Sequence, residues 1–375
     1  MNKLLLIIPL VVSIFVLYTF LSPVISKETK TTTEINSSIQ IAELQNVKDA
    51  PVELGQVDWI RNYDEGVLKA KQQNKPLLVL FQEVPGCNTS SGYGENVLSH
   101  PQIVEAIETL FVPVAVYNNH SGEDERVLKS FGEPSWNNPV VRIITPDRKE
   151  LVSRLNGDYT EAGLVRAMIT ALENDNKTVP QYLTLLAQDL NVNNGKSERA
   201  VIAMHCFWVG EGKLANVNGV ISTEPGFMGG HEVVALEYNP DIISYGDLVK
   251  KAKSQNLARH VFTESSKQSS IAKEIVGESS VSPKDTFRAD SRPKYYMSGT
   301  LYKHVPMTNT QIARVNAAIG ALQSPNIFLS PRQLEIYNYI QDHQDLNWPN
   351  LVSSSDFNSS WDKTVSLLNN QISRR

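Results

Sequence analysis

The chain has 375 residues, a length that favours two or three domains over one. Hydrophobic residues make up 41% and charged residues 20%, which excludes a largely disordered or collagen-like chain. The net charge is −5 and no Lys/Arg block occurs, so nucleic acid is not expected as a partner. The two cysteines, Cys87 and Cys206, are too few for a disulfide-stapled scaffold or for a site with three thiolate ligands.

An apolar segment of 18 residues, Leu4 to Leu21, opens the chain after Lys3. As a helix it would rise about 27 Å, close to the thickness of a bilayer core. A cleaved signal peptide usually has an apolar core of roughly 7–15 residues, so the length favours an uncleaved membrane anchor, although Val24-Ile25-Ser26 still offers a cleavage site. Both alternatives place the rest of the chain on the exported side of the cell envelope, anchored or released.

Residues 55–175 alternate between helical and strand patterns. A helix is predicted over Asp64–Gln73, and the apolar run at 77–81 is typical of a strand buried on both faces. Cys87 stands shortly after this strand, in a turn-rich stretch. The remaining patterns predict helices over 100–109, 124–131 and 160–173 and strands over 111–117, 139–145 and 150–157.

The order of these elements resembles a thioredoxin-like fold. In that family the redox cysteine follows the central strand at a helix N-terminus, where backbone N–H groups favour the thiolate, and Cys87 occupies that place. The family also has a cis-proline opposite the cysteine, and Pro139 matches its position. The alternative for Pro139 is an ordinary proline at the start of a strand.

Cys87 departs from the thioredoxin pattern because Asn88, Thr89 and Ser90 follow it in place of Cys-x-x-Cys. A local disulfide therefore cannot form. The run VPGCNT resembles instead the Val-Pro-Gly-Sec-x-Thr motif of a small thioredoxin-like family that often has selenocysteine at this position. The resemblance implies that Cys87 is a redox nucleophile, with Thr89, Ser90 and Pro139 at its site. An inert buried thiol is the alternative.

Residues 198–323 carry a series of short motifs around the second cysteine. A strand is predicted over 199–204 and a helical stretch near Cys206, and the motifs CFW, GVIST, GFMGG, HEVV, YNP and ISY follow in order. These motifs resemble the peptide methionine sulfoxide reductases of the A type. The predicted fold class is therefore α/β and α+β, with a thioredoxin-like domain followed by a methionine sulfoxide reductase A-like domain.

The second resemblance implies a catalytic site around Cys206. Its thiolate would attack the sulfoxide sulfur, and Phe207 and Trp208 would form an apolar wall for the substrate methyl group. Glu232 would protonate the departing oxygen, and the product would be a cysteine sulfenic acid. Without the resemblance, Cys206 would be interpreted as a buried thiol, the aromatic residues as core and Glu232 as a solvated strand residue.

This region also departs from the family pattern in several places. His205 replaces the family's glycine, and Gly230 adjoins His231 directly, so a family loop with a substrate-binding tyrosine is absent. The stretch 264–293 is Ser-rich and is predicted as loop. The family's C-terminal recycling cysteines are missing.

A later block of the family is partly retained. Asp290 and Tyr295 keep its spacing, while the run that follows is matched from Tyr296. Either Tyr295 or Tyr296 would bind the sulfoxide oxygen, with Asp290 beside it in the substrate site. The two tyrosines cannot be separated on spacing alone.

The missing recycling cysteines leave two routes for restoring Cys206. Cys87 could resolve the sulfenic acid through a transient Cys87–Cys206 disulfide, or an external thiol or thioredoxin-type reductant could do so directly. The sequence has no phosphate-binding loop and no metal-ligand spacing among its histidines, so neither a metal nor a cofactor is expected.

The favoured function is thiol-dependent reduction of methionine-S-sulfoxide in exported proteins or peptides. Two alternatives stay open: a thiol reductase or peroxidase centred on Cys87 with a non-catalytic second domain, and a peptide-binding module without turnover. The predicted organisation is a signal anchor or signal peptide (1–25), a linker (26–54), a thioredoxin-like domain (55–175), an interdomain segment (176–197), a methionine sulfoxide reductase A-like domain (198–323) and a helical and polar C-terminal extension (324–375).

Overall fold

The computed structural model of the chain describes residues 50–136, 139–193, 195, 197–352 and 356–372. The predicted anchor at 4–21 lies outside these residues. Within the described part, no helix is both long and apolar enough to cross a bilayer. The described elements form two sheets, each with its own helices, and a helical C-terminal region.

A four-stranded sheet lies in the first half of the chain, in the strand order β2-β1-β3-β4. Its strands are β1 (Leu77–Gln82), β2 (Val112–Tyr117), β3 (Val140–Ile144) and β4 (Leu155–Asn156). Strand β1 is parallel to β2 and antiparallel to β3. Leu78 and Leu80 belong to one core cluster, whereas Leu77, Val79 and Phe81 belong to another. The strand is thus buried on both faces, as its apolar run predicts.

Five helices flank this sheet, and local signals fix several of their ends. They are α1 (Tyr63–Gln73), α2 (Asn88–Asn96), α3 (Pro101–Leu110), α4 (Glu123–Ser130) and α5 (Glu161–Asn174). The side chain of Asn62 caps α1, the side chain of Thr160 caps α5, and proline opens α3. The strand predicted over 150–157 is much shorter, because the chain bends after Glu150 and turns Leu151 into the core.

A further helix, α6 (Gln181–Asn193), lies between the two sheets in sequence and packs on α5. The second sheet has six strands in the order β10-β6-β7-β5-β8-β9. They are β5 (Glu198–Ala203), β6 (Val220–Met228), β7 (His231–Tyr238), β8 (His260–Thr263), β9 (Val281–Pro283) and β10 (Arg288–Ala289). Its helices are α7 (Phe207–Ala215), α8 (Tyr245–Ser254) and α9 (Ser266–Val276).

The prediction of a loop over 264–293 is wrong. This stretch holds α9, β9 and β10. Helix α9 forms despite its serines because the Ser265 side chain caps it, and Ile271, Ala272 and Ile275 pack on the core of the second sheet.

The C-terminal region forms its own core. It contains α10 (Tyr295–Ser298), α11 (Asn309–Gly320), α12 (Pro331–Asp342) and α13 (Phe357–Ile372). Thr308 and Ser330 begin α11 and α12 with capping boxes. The polar segment at the end is largely helical, since Phe357, Trp361 and Leu368 bury one face of α13.

Buried glutamines join the first sheet's helices to the C-terminal region. The side chain of Gln102, on α3, donates to Gln311 at 3.0 Å, and Gln311 donates to Gln333 at 2.7 Å. All three side chains are fully buried. An ion pair between Arg332 and Glu108, at 2.6 Å, lies nearby. The two parts of the chain therefore share an ordered, buried contact.

Candidate functional site

Cys206 lies at the N-cap of α7, three positions after the last residue of β5. The next strand in the sheet, β7, is antiparallel to β5 and starts beside this point, with Val233 paired to Ala203. Glu232 is thereby placed at the helix N-terminus, and its Oε2 accepts a hydrogen bond from the backbone N–H of Phe207 at 3.0 Å. A half-buried thiol and a carboxylate thus meet at one helix end.

An aromatic group surrounds this helix end. The ring of Phe207 packs edge-on against Phe227 with centroids 5.3 Å apart, and it lies 5.5 Å from Trp208. The Trp208 indole N–H donates to Asp290 at 3.0 Å. Its face stacks on Tyr295, with centroids 4.1 Å apart and planes 11° from parallel. Asp290 and Tyr295 therefore hold the orientation of Trp208.

Tyr296 lies close enough to Cys206 for the two side chains to interact electrostatically. Its ring lies against Gly320 and Gly212, and a methyl group added at Gly320 would approach the ring to 2.6 Å. Burial raises the pKa of Tyr296, and the negative charge of the Cys206 thiolate raises it further. The phenol therefore stays protonated and is available as a hydrogen-bond donor beside the thiol. Tyr295, in contrast, serves as an aromatic wall.

A buried ion pair beneath the site was missed at the sequence level. Lys294 donates to Glu211 at 2.6 Å, and Glu211 also accepts from Thr223 and Asn316, each at 3.2 Å. Lys294 adopts a left-handed backbone with φ +54°, and this pair holds it immediately before Tyr295. The signal was a glutamate on the apolar face of α7, where an ionised side chain needs a buried partner.

Cys87 forms a second, separate site at the N-cap of α2. Its side chain is exposed. The backbone N–H of Ser90 lowers the thiol pKa most, followed by the Ser90 side chain, and Thr89 contributes less. The sulfur lies 3.8 Å from the Ser90 hydroxyl. Thr89 and Ser90 thus lie where the sequence predicted them, next to an accessible and acidified thiol.

The loop before Cys87 is held by buried polar contacts. The Gln82 side chain donates to the carbonyl of Ser90 at 3.2 Å, and the backbone N–H of Gly86 donates to Glu53 at 2.7 Å. The Val84–Pro85 peptide bond in this loop is cis. Pro139 directly precedes β3, but Asn138 lies outside the described residues, so the predicted cis bond between them stays a prediction.

The predicted site residues thus fall into two groups. One group surrounds the Cys206 thiol and consists of Phe207, Trp208, Glu232, Asp290, Tyr295 and Tyr296. The other consists of Cys87, Thr89 and Ser90. The contacts described above lie within each group. Both cysteines are free thiols.

Comparison with known families supports the architecture of the first half. A family model described as Thioredoxin-like matches residues 58–146, which include β1, β2, β3 and Cys87. The chain contains a thioredoxin-like domain. A solved structure titled DsbH Oxidoreductase matches with 19% identity and a TM-score of 0.28, covering 34% of this chain and 93% of that chain. This weak match adds nothing further to the assignment.

A short segment of the chain is similar to curated peptide methionine sulfoxide reductases. The MsrA enzyme of Methanococcus maripaludis is 42% identical over 71 residues, which cover 14% of this chain and 45% of the relative. MsrA 1 of Nostoc sp. is 38% identical over 69 residues, with 14% and 42% coverage. The mitochondrial enzyme of Mus musculus is 37% identical over 71 residues, with 14% and 30% coverage. The chain spans less than half the length of these relatives.

Proposed function

We propose that the Cys206 site reduces methionine-S-sulfoxide in exported proteins or peptides. The observation that carries the proposal is the hydrogen bond between Glu232 and the backbone N–H of Phe207, because it places a carboxyl group, which can carry the proton that the reaction needs, at the helix end where the thiol lies. Similarity to peptide methionine sulfoxide reductases over a short segment supports the same chemistry.

In the proposed reaction, the Cys206 thiolate attacks the sulfur of the sulfoxide. The sulfur–oxygen bond breaks, the sulfoxide is reduced to a thioether, and Cys206 is oxidised to a sulfenic acid that carries the oxygen. Glu232 protonates the oxygen as its negative charge develops. No other oxidant or reductant takes part in this step.

Binding of the sulfoxide uses the groups around the thiol. Phe207 and Trp208 provide the apolar surface for the substrate methyl group. The protonated Tyr296 phenol donates a hydrogen bond to the sulfoxide oxygen. An external thiol then condenses with the sulfenic acid, releasing water and forming a mixed disulfide, and a second thiol reduces that disulfide.

A turnover assay on both epimers of a methionine sulfoxide peptide tests the proposal, with dithiothreitol as the reductant. The expected result is reduction of the S epimer alone and complete loss of activity in Cys206→Ser, with an unchanged melting temperature. Undiminished turnover in that variant would overturn the assignment. Peptide binding without turnover in the unmodified chain would favour a binding module instead.

We propose a thiol reductase or peroxidase centred on Cys87 as the second candidate. The lowered pKa and exposure of this thiol favour it, as does the resemblance of VPGCNT to a selenoprotein-type motif. Reduction of a disulfide or a peroxide by Cys206→Ser, but not by Cys87→Ser, would support this activity. Equal rates in both variants would rule it out.

A further inference from the structure

Three arginines surround the Cys206 site. A guanidinium N–H of Arg259 lies 2.9 Å from Nδ1 of His205, the residue before the cysteine. The guanidinium of Arg288 lies 4.2 Å from the ring of Phe227, which packs on Phe207. The side chains of Arg259, Arg288 and Arg292 are all exposed. Each contacts a residue that belongs to the helix end with the thiol, adjoins it in sequence or packs on it.

Arg292 contacts the aromatic residues of the site. Its guanidinium lies 4.9 Å from the ring of Trp208 and 5.8 Å from that of Tyr295. It also lines a cavity of about 660 Å³ together with Tyr296 and with Val352 of the C-terminal extension. The cavity can take a side chain that neighbours the reacting residue of a bound peptide.

The described residues provide no ion-pair partner for these three arginines. In the part of the chain that the structure describes, no carboxylate lies within ion-pair distance of Arg259, Arg288 or Arg292. The two carboxylates of the site, Glu232 and Asp290, instead accept hydrogen bonds from Phe207 and Trp208. The imidazole rings of His231 and His260 stack on each other, with centroids 5.2 Å apart.

We propose that the Cys206 site selects methionine sulfoxide within acidic stretches of polypeptide, whose carboxylates pair with Arg259, Arg288 and Arg292. The inference rests on the proposed function for the identity of the central residue. Basic side chains arranged around a site attract acidic ligands and repel basic ones. A chain with a net charge of −5 has no general attraction for acidic peptides, so the selectivity is local.

The test compares three peptides that differ only in the residues flanking one methionine-S-sulfoxide: glutamate, serine or lysine. Dithiothreitol serves as the reductant, so that no protein reductant competes for the arginines. We expect kcat/KM for the glutamate peptide to exceed that for the lysine peptide roughly tenfold at low salt, since three exposed ion pairs are each worth about twofold. The preference should shrink as the ionic strength rises.

The variant for this test combines Arg259→Gln, Arg288→Gln and Arg292→Gln. It should lose the preference and still reduce the serine peptide. The matched control combines Lys69→Gln, Lys251→Gln and Lys267→Gln, which remove the same charge from exposed helix positions elsewhere, and it should keep the preference. Turnover with equal rates on all three peptides would overturn the inference and leave the proposed function intact.

Peptide binding to Cys206→Ser distinguishes the selection of acidic peptides from the proposed reduction of methionine sulfoxide. Tighter binding of the glutamate peptide to this variant supports acidic selection even where no turnover is found, in which case the proposed reduction alone is wrong. Equal affinities for the three peptides would contradict the role of the arginines.

Discussion

The carboxylate of Glu232 lies 3.0 Å from the backbone nitrogen of Phe207. This contact connects the first turn of α7 to the start of β7. Because β5 and β7 are antiparallel neighbours, the sheet itself brings together the Cys206 thiol after one strand and the Glu232 carboxyl group at the start of the other. The arrangement needs no long loop, which fits the direct connection of Gly230 to His231.

The first prediction concerns Glu232→Gln. The amide oxygen can still accept from the Phe207 N–H, so the fold should be kept, but a general acid is lost. Turnover should fall roughly 10²–10⁴-fold, with little change in KM, in steady-state assays on a methionine-S-sulfoxide peptide. Glu224→Gln, an exposed change on β6, is the control. An unchanged rate in Glu232→Gln would assign the acid to another group.

The second prediction uses two glycines that face the same tyrosine. Gly320→Ala would bring a methyl group to 2.6 Å from the Tyr296 ring, whereas Gly212→Ala would place one at an ordinary 3.7 Å. We expect Gly320→Ala to displace Tyr296 and lower kcat, and Gly212→Ala to keep most of the activity. Melting temperatures measured on both variants separate this effect from unfolding. Equal rates would mean that the position of Tyr296 does not matter.

The sequence predicted the residues around Cys206 better than the buried contacts that hold those residues in place. The ordered motifs placed Cys206, Phe207 and Trp208 correctly at a strand–helix junction, where neighbouring residues fix the geometry, and Glu232 on a following strand. The sequence could not predict the ion pair of Lys294 with Glu211, because the two residues are 83 positions apart. Spacing alone leaves Tyr295 and Tyr296 equivalent, whereas in the structure Tyr295 stacks on Trp208 and the charge of Cys206 acts on the phenol of Tyr296.

Elements in which polar residues interrupt an apolar face were the least predictable. The serines that interrupt the apolar face of helix α9 favour a loop in the sequence, whereas the Ser265 cap and packing on the core of the second sheet stabilise the helix in the structure. The buried glutamines at 102, 311 and 333 contradict the expectation that polar residues lie outside. Their side chains hydrogen-bond to one another only after α3, α11 and α12 have come together.

The third prediction concerns the pH dependence of Cys87. Hydrogen bonds from Ser90 and Thr89 lower its pKa, so the thiolate should persist below the pH at which an ordinary thiol is protonated. In a Cys206→Ser background, alkylation by iodoacetamide should therefore stay fast at lower pH than for a free cysteine peptide. Ser90→Ala should move the midpoint upward but only in part, because the backbone N–H remains. A midpoint equal to that of the peptide would contradict the role of Ser90.

The last prediction concerns the restoration of Cys206. A Cys87–Cys206 disulfide requires the two Cα atoms to lie within about 7 Å. The helix capped by Cys87 packs on residues 52–54, and the helix capped by Cys206 packs on α11, β6 and β7. The contact between the two parts of the chain is made elsewhere, by buried side chains such as Gln102 and Gln311, and these resist the domain movement that an internal relay would need.

We therefore expect direct resolution by an external thiol. With dithiothreitol, Cys87→Ser should reduce methionine-S-sulfoxide at the rate of the unmodified chain. After one equivalent of substrate and an acid quench, peptide mapping by mass spectrometry should find sulfenic acid at Cys206 and no peptide that links the two cysteines. A cross-linked Cys87–Cys206 peptide, together with slow turnover in Cys87→Ser, would show instead that the domains move and that the thioredoxin-like domain recycles the second site. Gln102→Ala then provides a further check, because loosening the buried contact should speed such a relay and leave external resolution unchanged.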